Sequence, residues 1–291
     1  MKESAAGRPR GMNVSAYARI SACLTGIAIM FGAVSDAQKI NIHYDPVSRE
    51  VVDQRLRLVK SKDPDREQAL KEIFQEAGCR GERLTELPVK HERVPNLVCT
   101  EAGTSDAVIV VGGHMDHVSA GRGVVDDWSG ASLLPSLFES LNKASHKHTF
   151  VYIGFTNEEE GLIGSKFYVK QLTPEEADKI RAMVNLECLG LTPTKVWAHH
   201  ADPKLLQGLT NVAAAIHSPI QSVNVENVGD DDADSFRAHE FPTITIHSVT
   251  QETLSVLHSP RDNFSAMNVD YYYESYRLIA AYLAYLDETL D

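Results

Sequence analysis

Ala107-Val108-Ile109-Val110-Val111-Gly112-Gly113 is an uncharged run that passes without a break into His114-Met115-Asp116-His117. A short, wholly apolar run of this kind reads as a strand buried on both faces, and such strands belong to parallel sheets covered by helices. The pattern recurs: Phe150-Val151-Tyr152-Ile153-Gly154-Phe155-Thr156-Asn157 leads into Glu158-Glu159-Glu160-Gly161, and Ala182-Met183-Val184-Asn185-Leu186 leads into Glu187. Helical patterns separate these runs, over Ser129 to Lys143 and from about Gly161 to Gln171. A helix near Pro203 to Ile216, a strand at Thr243 to Ile246 and a closing helix over Val269 to Leu286 follow. Upstream, Asp63-Pro64 supplies a cap and a first-turn proline, Ala69, Leu70, Ile73, Phe74 and Ala77 form an apolar stripe, and Gly78 ends the helix. Strands alternating with helices predict an α/β fold: a mostly parallel, mixed central sheet flanked by helices on both faces.

The composition fits one globular domain. Of 291 residues, 43% are hydrophobic and 23% charged, too apolar for a disordered chain. Forty acids against 28 bases give a net charge of −12, which excludes a general nucleic-acid binder. Cys23, Cys79, Cys99 and Cys188 show no C-x-x-C spacing, so any metal must be held by histidines and carboxylates. At the start, Lys2, Arg8, Arg10 and Arg19 precede an apolar run from Ile20 to Val34, and Ser35-Asp36-Ala37 offers small residues at a cleavage site. Residues 1–37 therefore read as a signal peptide for export to the periplasm or medium. About 15 apolar residues are short for a bilayer span, so no stable membrane anchor is expected. Export permits a disulfide between Cys79 and Cys99. No repeat or flexible linker interrupts residues 38–291, which read as a single domain.

Chemistry-bearing residues gather where the predicted strands end. His114 and Asp116 follow the first strand, Asp126-Asp127 opens the next helix, Glu158 and Glu159 follow the second strand, and Glu187 follows the third. In parallel sheets these carboxyl ends form one rim, where ligands bind. So many acids packed together repel unless they are protonated or hold cations, and oxygen with imidazole ligands suits zinc or another divalent ion.

Five segments carry a family resemblance: Gly113-His114-Met115-Asp116-His117; Asp126-Asp127-Trp128-Ser129-Gly130; Asn157-Glu158-Glu159-Glu160-Gly161-Leu162-Ile163-Gly164-Ser165; Asn185-Leu186-Glu187-Cys188-Leu189-Gly190; and Leu257-His258-Ser259-Pro260-Arg261-Asp262. In order, spacing and residue type they resemble the motifs of the M28 family of zinc exopeptidases. The resemblance implies two zinc ions, His114 and Glu187 on one, Glu159 and His258 on the other, and Asp126 bridging both. It implies Glu158 as general base, Asp116 orienting His114, and a cis peptide between Asp126 and Asp127. Better-known members carry aspartate at the place of Glu187, so this arm is one methylene longer. Peptides are the implied substrates. The 254 residues left after signal removal leave no room for a dimerisation insert, so a monomer like the small secreted aminopeptidases is expected.

Three other readings stay open: a glutaminyl-cyclase-like acyltransferase with one zinc, a carboxypeptidase of the same family, and a non-catalytic binding protein. Other conspicuous residues receive plainer readings. Gly229-Asp230-Asp231-Asp232 reads as a solvated loop or the start of a helix, and Asp234-Ser235 falls where the family places an acid near the site. His199, His200, His239 and His247 read as surface or structural groups, Tyr271 to Tyr273 as packing residues, and Cys188 as a small buried residue.

Overall fold

A computed structural model describes residues 42–143, 145–224 and 229–291. The expected signal segment, residues 1–37, lies outside the described residues. Among the described residues there are eight strands: β1 (Leu84–Leu87), β2 (Asn96–Glu101), β3 (Val108–His114), β4 (Thr149–Phe155), β5 (Ile180–Glu187), β6 (Lys195–Val196), β7 (Gln221–Ser222) and β8 (Thr243–His247). They form one sheet in the order β1-β2-β4-β3-β5-β8-β6-β7. The centre, β4-β3-β5-β8, is parallel, whereas β1, β2 and β6 join antiparallel to their inner neighbours. The expected mostly parallel, mixed sheet is what forms.

The helices among the described residues are α1 (Arg49–Leu56), α2 (Asp63–Ala77), α3 (Ser129–Ala131), α4 (Leu134–Leu141), α5 (Ile163–Gln171), α6 (Pro174–Ala177), α7 (Pro203–Ala215), α8 (Asp232–Arg237) and α9 (Val269–Thr289). Alternate side chains of each strand point to opposite faces. Ile109, Val111, Phe150, Tyr152 and Val184 therefore pack with Leu70, Phe74, Phe138, Leu209 and Ile279 of α2, α4, α7 and α9. On the other face Val110, Val151, Ile153 and Met183 pack with Val169 of α5 and Phe236 of α8. Both faces are thus dry, which is why the central strands carry no polar alternation.

Local departures from the expected elements have physical causes. The single helix over Ser129 to Lys143 is instead α3 and α4, because Pro135 lacks an N–H to bond the carbonyl four residues back and its ring crowds that carbonyl. Asp63 does not cap α2: Lys62 holds that position without a side-chain bond, and the Asp63 carboxylate meets His117 Nδ1 at 3.1 Å. Gly78 ends α2 in the left-handed region at φ 105°, as expected. Cys79 and Cys99 are joined in a disulfide that ties the end of α2 to β2.

Candidate metal centre

Strands β3, β4 and β5 end side by side, so the residues that follow them share one rim. His114 Nε2 lies 3.1 Å from Asp126 Oδ1 and 3.7 Å from Glu187 Oε1. On the other side of the same carboxylate, His258 Nε2 lies 3.1 Å from Asp126 Oδ2 and 2.9 Å from Glu159 Oε2. Asp126 is thus flanked by two imidazoles, each with a glutamate beside it. Asp126, Glu159 and His258 present donor atoms within 4.8 Å of one another, as do His114, Glu158 and Glu159, and also His114, Asp127 and Glu187. Every residue expected at the site is in this cluster or touches it.

Buried carboxylates place these donors. Asp116 accepts the backbone N–H of Glu158 (3.0 Å) and of Glu159 (3.1 Å), and lies 3.5 Å from His114 Nδ1, so it sets the glutamates and the imidazole at once. Asp262 accepts the N–H groups of Val124 (2.8 Å), Val125 (2.8 Å) and Asp126 (3.1 Å), clamping the segment that presents Asp126. Asp127 accepts from Gly130, Cys188 and His114 N–H groups, joining three loops. The Asp126–Asp127 peptide is cis, as the resemblance implied. Deeper in, Trp128 Nε1 donates to the Leu56 carbonyl and the Tyr272 hydroxyl to the Ser129 carbonyl, so the segment is held from both ends.

The charges are unbalanced. Burial, reinforced by Asp232, Glu187 and Asp126, pushes the Glu158 carboxyl up to about 10. Burial and Asp126 push Glu159 up to about 7. The hydrogen bond to Asp126 lifts His258 to about 9. Burial alone would depress His114, but Glu158, Asp116, Asp126 and Glu187 hold it well above the ordinary imidazole value. Asp126 is held low by His114 and His258 in spite of its burial. Glu159 Oε1 and Glu187 Oε2 are buried without hydrogen-bond partners among the described residues. Unpartnered carboxylate oxygens beside two imidazoles are what a divalent cation would satisfy, so the donor set fits zinc.

Three residues of this centre had no role assigned from sequence. Asp127 and Asp262 sit inside quoted motifs, yet their task depends on backbone groups brought from elsewhere. Asp232 was expected in a solvated loop or helix start; it opens α8 but is wholly buried, because the α8 N-terminus packs under the rim. Among the described residues its oxygens have no hydrogen-bond partner, and burial, then Glu187 and Asp116, push it up to about 8 against the pull of His114 and Ser165. Asp231 is also buried, capping α8 and accepting from Thr245. Asp234 is not the acid that faces the site: it pairs with Arg237, one turn along α8. Cys188 is buried as expected, and His247 is structural, with Nδ1 accepting from Val249 N–H and Nε2 facing the Val223 carbonyl.

Beside the cluster opens a cavity of about 490 Å³ with apolar walls from Trp197, Val249, Leu254 and Leu257. Asp230 and Asp231 also line it, and Lys166 is its only lysine or arginine among the described residues. No helix among the described residues is long and apolar enough to cross a membrane.

A mixed α/β sheet with carboxylates and imidazoles gathered at the carboxyl ends of its parallel strands defines the class of protein: an α/β fold with a candidate metal centre at the sheet rim. A model of Peptidase family M28 matches residues 96–283, and the chain belongs to that family. It is 29% identical over 144 residues to a probable leucine aminopeptidase 2 of Aspergillus oryzae, covering 50% of this chain and 27% of that protein. It is 36% identical over 91 residues to an aminopeptidase of Pseudomonas aeruginosa, covering 31% of this chain and 17% of that protein. The chain thus spans less than a third of the length of these relatives. In fold it is similar to the LapA aminopeptidase of Legionella pneumophila, with a TM-score of 0.69 at 21% identity over 88% of this chain and 79% of that one. A glutaminyl cyclase of Porphyromonas gingivalis gives a TM-score of 0.65 at 15% identity, over 82% of this chain and 98% of that one.

Proposed function

We propose that this protein is an exported aminopeptidase that removes amino-terminal residues from peptides with a dinuclear zinc site. The observation that carries this reading is Asp126, whose two oxygens face two different imidazoles, each paired with its own glutamate. His114 and Glu187 would hold one ion, His258 and Glu159 the other, with Asp126 between them. Two bound ions would polarise the scissile carbonyl and make the attacking water more acidic.

The remaining chemistry belongs to the chain. Asp116 fixes the backbone of Glu158 and Glu159, so two adjacent glutamates divide the work: Glu159 as ligand, Glu158 as base. Glu158 takes the proton from the water as its oxygen bonds to the carbonyl carbon, and passes it to the nitrogen as the C–N bond breaks. The longer arm of Glu187 still brings Oε1 to 3.7 Å from His114 Nε2, in keeping with a ligand role. Charge favours the amino end: apart from the residues given to the metals and the base, the cavity is lined by Asp230 and Asp231 against Lys166, an excess of acid that suits a free ammonium and disfavours a terminal carboxylate. Names of the relatives point the same way. Residues 1–37 are read as the export signal, and the remaining chain as one domain acting as a monomer.

The test is metal content per chain together with hydrolysis of leucine p-nitroanilide. Two zinc ions and hydrolysis are expected, with Glu158→Gln keeping the metal and losing about 10²–10⁴-fold in turnover. Near-normal turnover in that variant would remove Glu158 from the role of base. One zinc per chain, with cyclisation of glutaminyl peptides in place of hydrolysis, would favour the cyclase reading that the similar fold keeps in view.

A further inference from the structure

A second cavity, of about 700 Å³, lies on the same rim and is lined by Lys62, Arg93, Arg122, His117 and Asp63. Its charge is opposite to that of the protein as a whole, whose net charge is −12. Lys62, Arg93 and Arg122 come from three separate segments, and none forms an ion pair among the described residues. Arg122 lies over the Phe264 ring, 5.9 Å from its centre, a contact that leaves the charge uncompensated. The one acid, Asp63, is engaged by His117 Nδ1 at 3.1 Å. The lining is therefore short of anions.

Each wall of this cavity is tied to a loop of the metal centre. His117 follows Asp116 directly in the chain. The turn bearing Arg93 is held by Asn157, which donates to Glu92 at 2.8 Å and precedes Glu158. Gly121 sits so close to the Ser259 carbonyl, next to His258, that a Cβ there would lie 2.3 Å from it, and its φ of 95° suits glycine. His117, which lines the cavity, is three residues from His114, so their Cα atoms are at most about 11 Å apart, a span within the reach of three or four residues of extended peptide.

We propose that this cavity binds the carboxylate of a short peptide substrate whose free amine lies at the metal centre. This rests on the aminopeptidase reading. The two cavities then divide the ends of the substrate by charge: acids beside the reacting centre receive the ammonium, and Lys62, Arg93 and Arg122 receive the carboxylate. Tri- and tetrapeptides with a free carboxyl end are the favoured class.

The experiment compares Leu-Gly-Gly with Leu-Gly-Gly amide on the whole zinc-loaded chain, in wild type and in the Arg93→Gln/Arg122→Gln double variant, with leucine p-nitroanilide as a third substrate. A KM about five- to tenfold lower for the acid than for the amide is expected in wild type, where three rim cations face the carboxylate. The ratio should fall toward 1 in the double variant and in about 0.5 M salt, because charges at this exposed site are screened. Equal KM values for acid and amide in wild type overturn the proposal while hydrolysis of the p-nitroanilide upholds the aminopeptidase reading. So does a ratio that the double variant leaves unchanged while its melting temperature shows it folded. If no substrate is cleaved, the aminopeptidase reading fails, and calorimetric titration with the two peptides decides the cavity separately: tighter binding of the acid, lost in the double variant, supports it, and equal affinity overturns it.

Discussion

Replacing Asp262 by asparagine should loosen the segment that presents Asp126 without touching any of the metal-donor atoms. The native carboxylate accepts three backbone N–H groups, two on Oδ1 at 2.8 Å and one on Oδ2 at 3.1 Å. An asparagine with its carbonyl in place of Oδ1 keeps two of these bonds as neutral ones, a loss of about 0.5–1.5 kcal/mol each. The third is replaced by an amide NH₂ facing the N–H of Asp126, leaving a buried donor unpaired at about 1–3 kcal/mol. Removing one negative charge near Asp126 offsets about 1 kcal/mol. The net expectation is a destabilisation of about 1–5 kcal/mol, centred near 3, read by urea unfolding of the metal-free protein at neutral pH. Zinc affinity should fall in the same variant, because Asp126 loses its fixed position. A change in unfolding free energy below about 0.5 kcal/mol, with zinc affinity unaltered, would refute the clamp.

Three further expectations concern parts of the fold away from the metal centre. Burial and the charge of Glu86 push Glu67 up to about 7, above its unfolded value, so ionising it costs stability as pH rises from about 4.3 to 7. Glu67→Gln should therefore stabilise by about 1–2 kcal/mol above pH 7 and change little at about pH 4, a figure discounted for the solvent reaching Lys71 and Glu86 nearby and checked by denaturation at both pH values. Asp287 is buried, which alone would raise it, but His146, His148 and the N–H groups of Lys147 and His148 hold it below the usual carboxylate range. Its contribution is then full above about pH 4 and declines as pH falls toward its depressed folded value, so Asp287→Asn should cost about 1–3 kcal/mol at pH 6 and somewhat less at pH 3 by calorimetry. Breaking the Cys79–Cys99 bond, which closes a loop with a sequence separation of 20, should cost about 3 kcal/mol on loop entropy in the Cys79→Ala/Cys99→Ala variant, read by denaturant midpoint.

The runs Ala107 to Val111, Phe150 to Phe155 and Ala182 to Leu186, which mark β3, β4 and β5, were legible because a strand buried on both faces is apolar at nearly every position, and that is a property of the run itself. The polar residues that follow them were legible as a rim because parallel strands bring their carboxyl ends to one edge whatever their order. Strands β1 and β2 were not foreseen: β1 is the sheet edge, where Leu84 to Leu87 is half exposed, and β2, though buried at its start, has an apolar run of only Leu97 to Cys99. The break at Pro135 was local and could have been read from the proline alone.

By itself the sequence determined the four parallel strands at the centre of the sheet and the helical segments between them, the ordered motifs, and the donor types at the rim, all set by local periodicity and side-chain chemistry. Only the tertiary structure decided that Asp126 stands between His114 and His258, that Asp262 bonds three amides over a hundred residues away, and that Asp232 is buried. It alone joined Lys62, Arg93 and Arg122 into one cationic cavity. The physical reason is range: periodicity and capping act within a few residues, whereas a hydrogen bond, a buried charge or a field depends on which distant segments the packed sheet brings within a few ångströms.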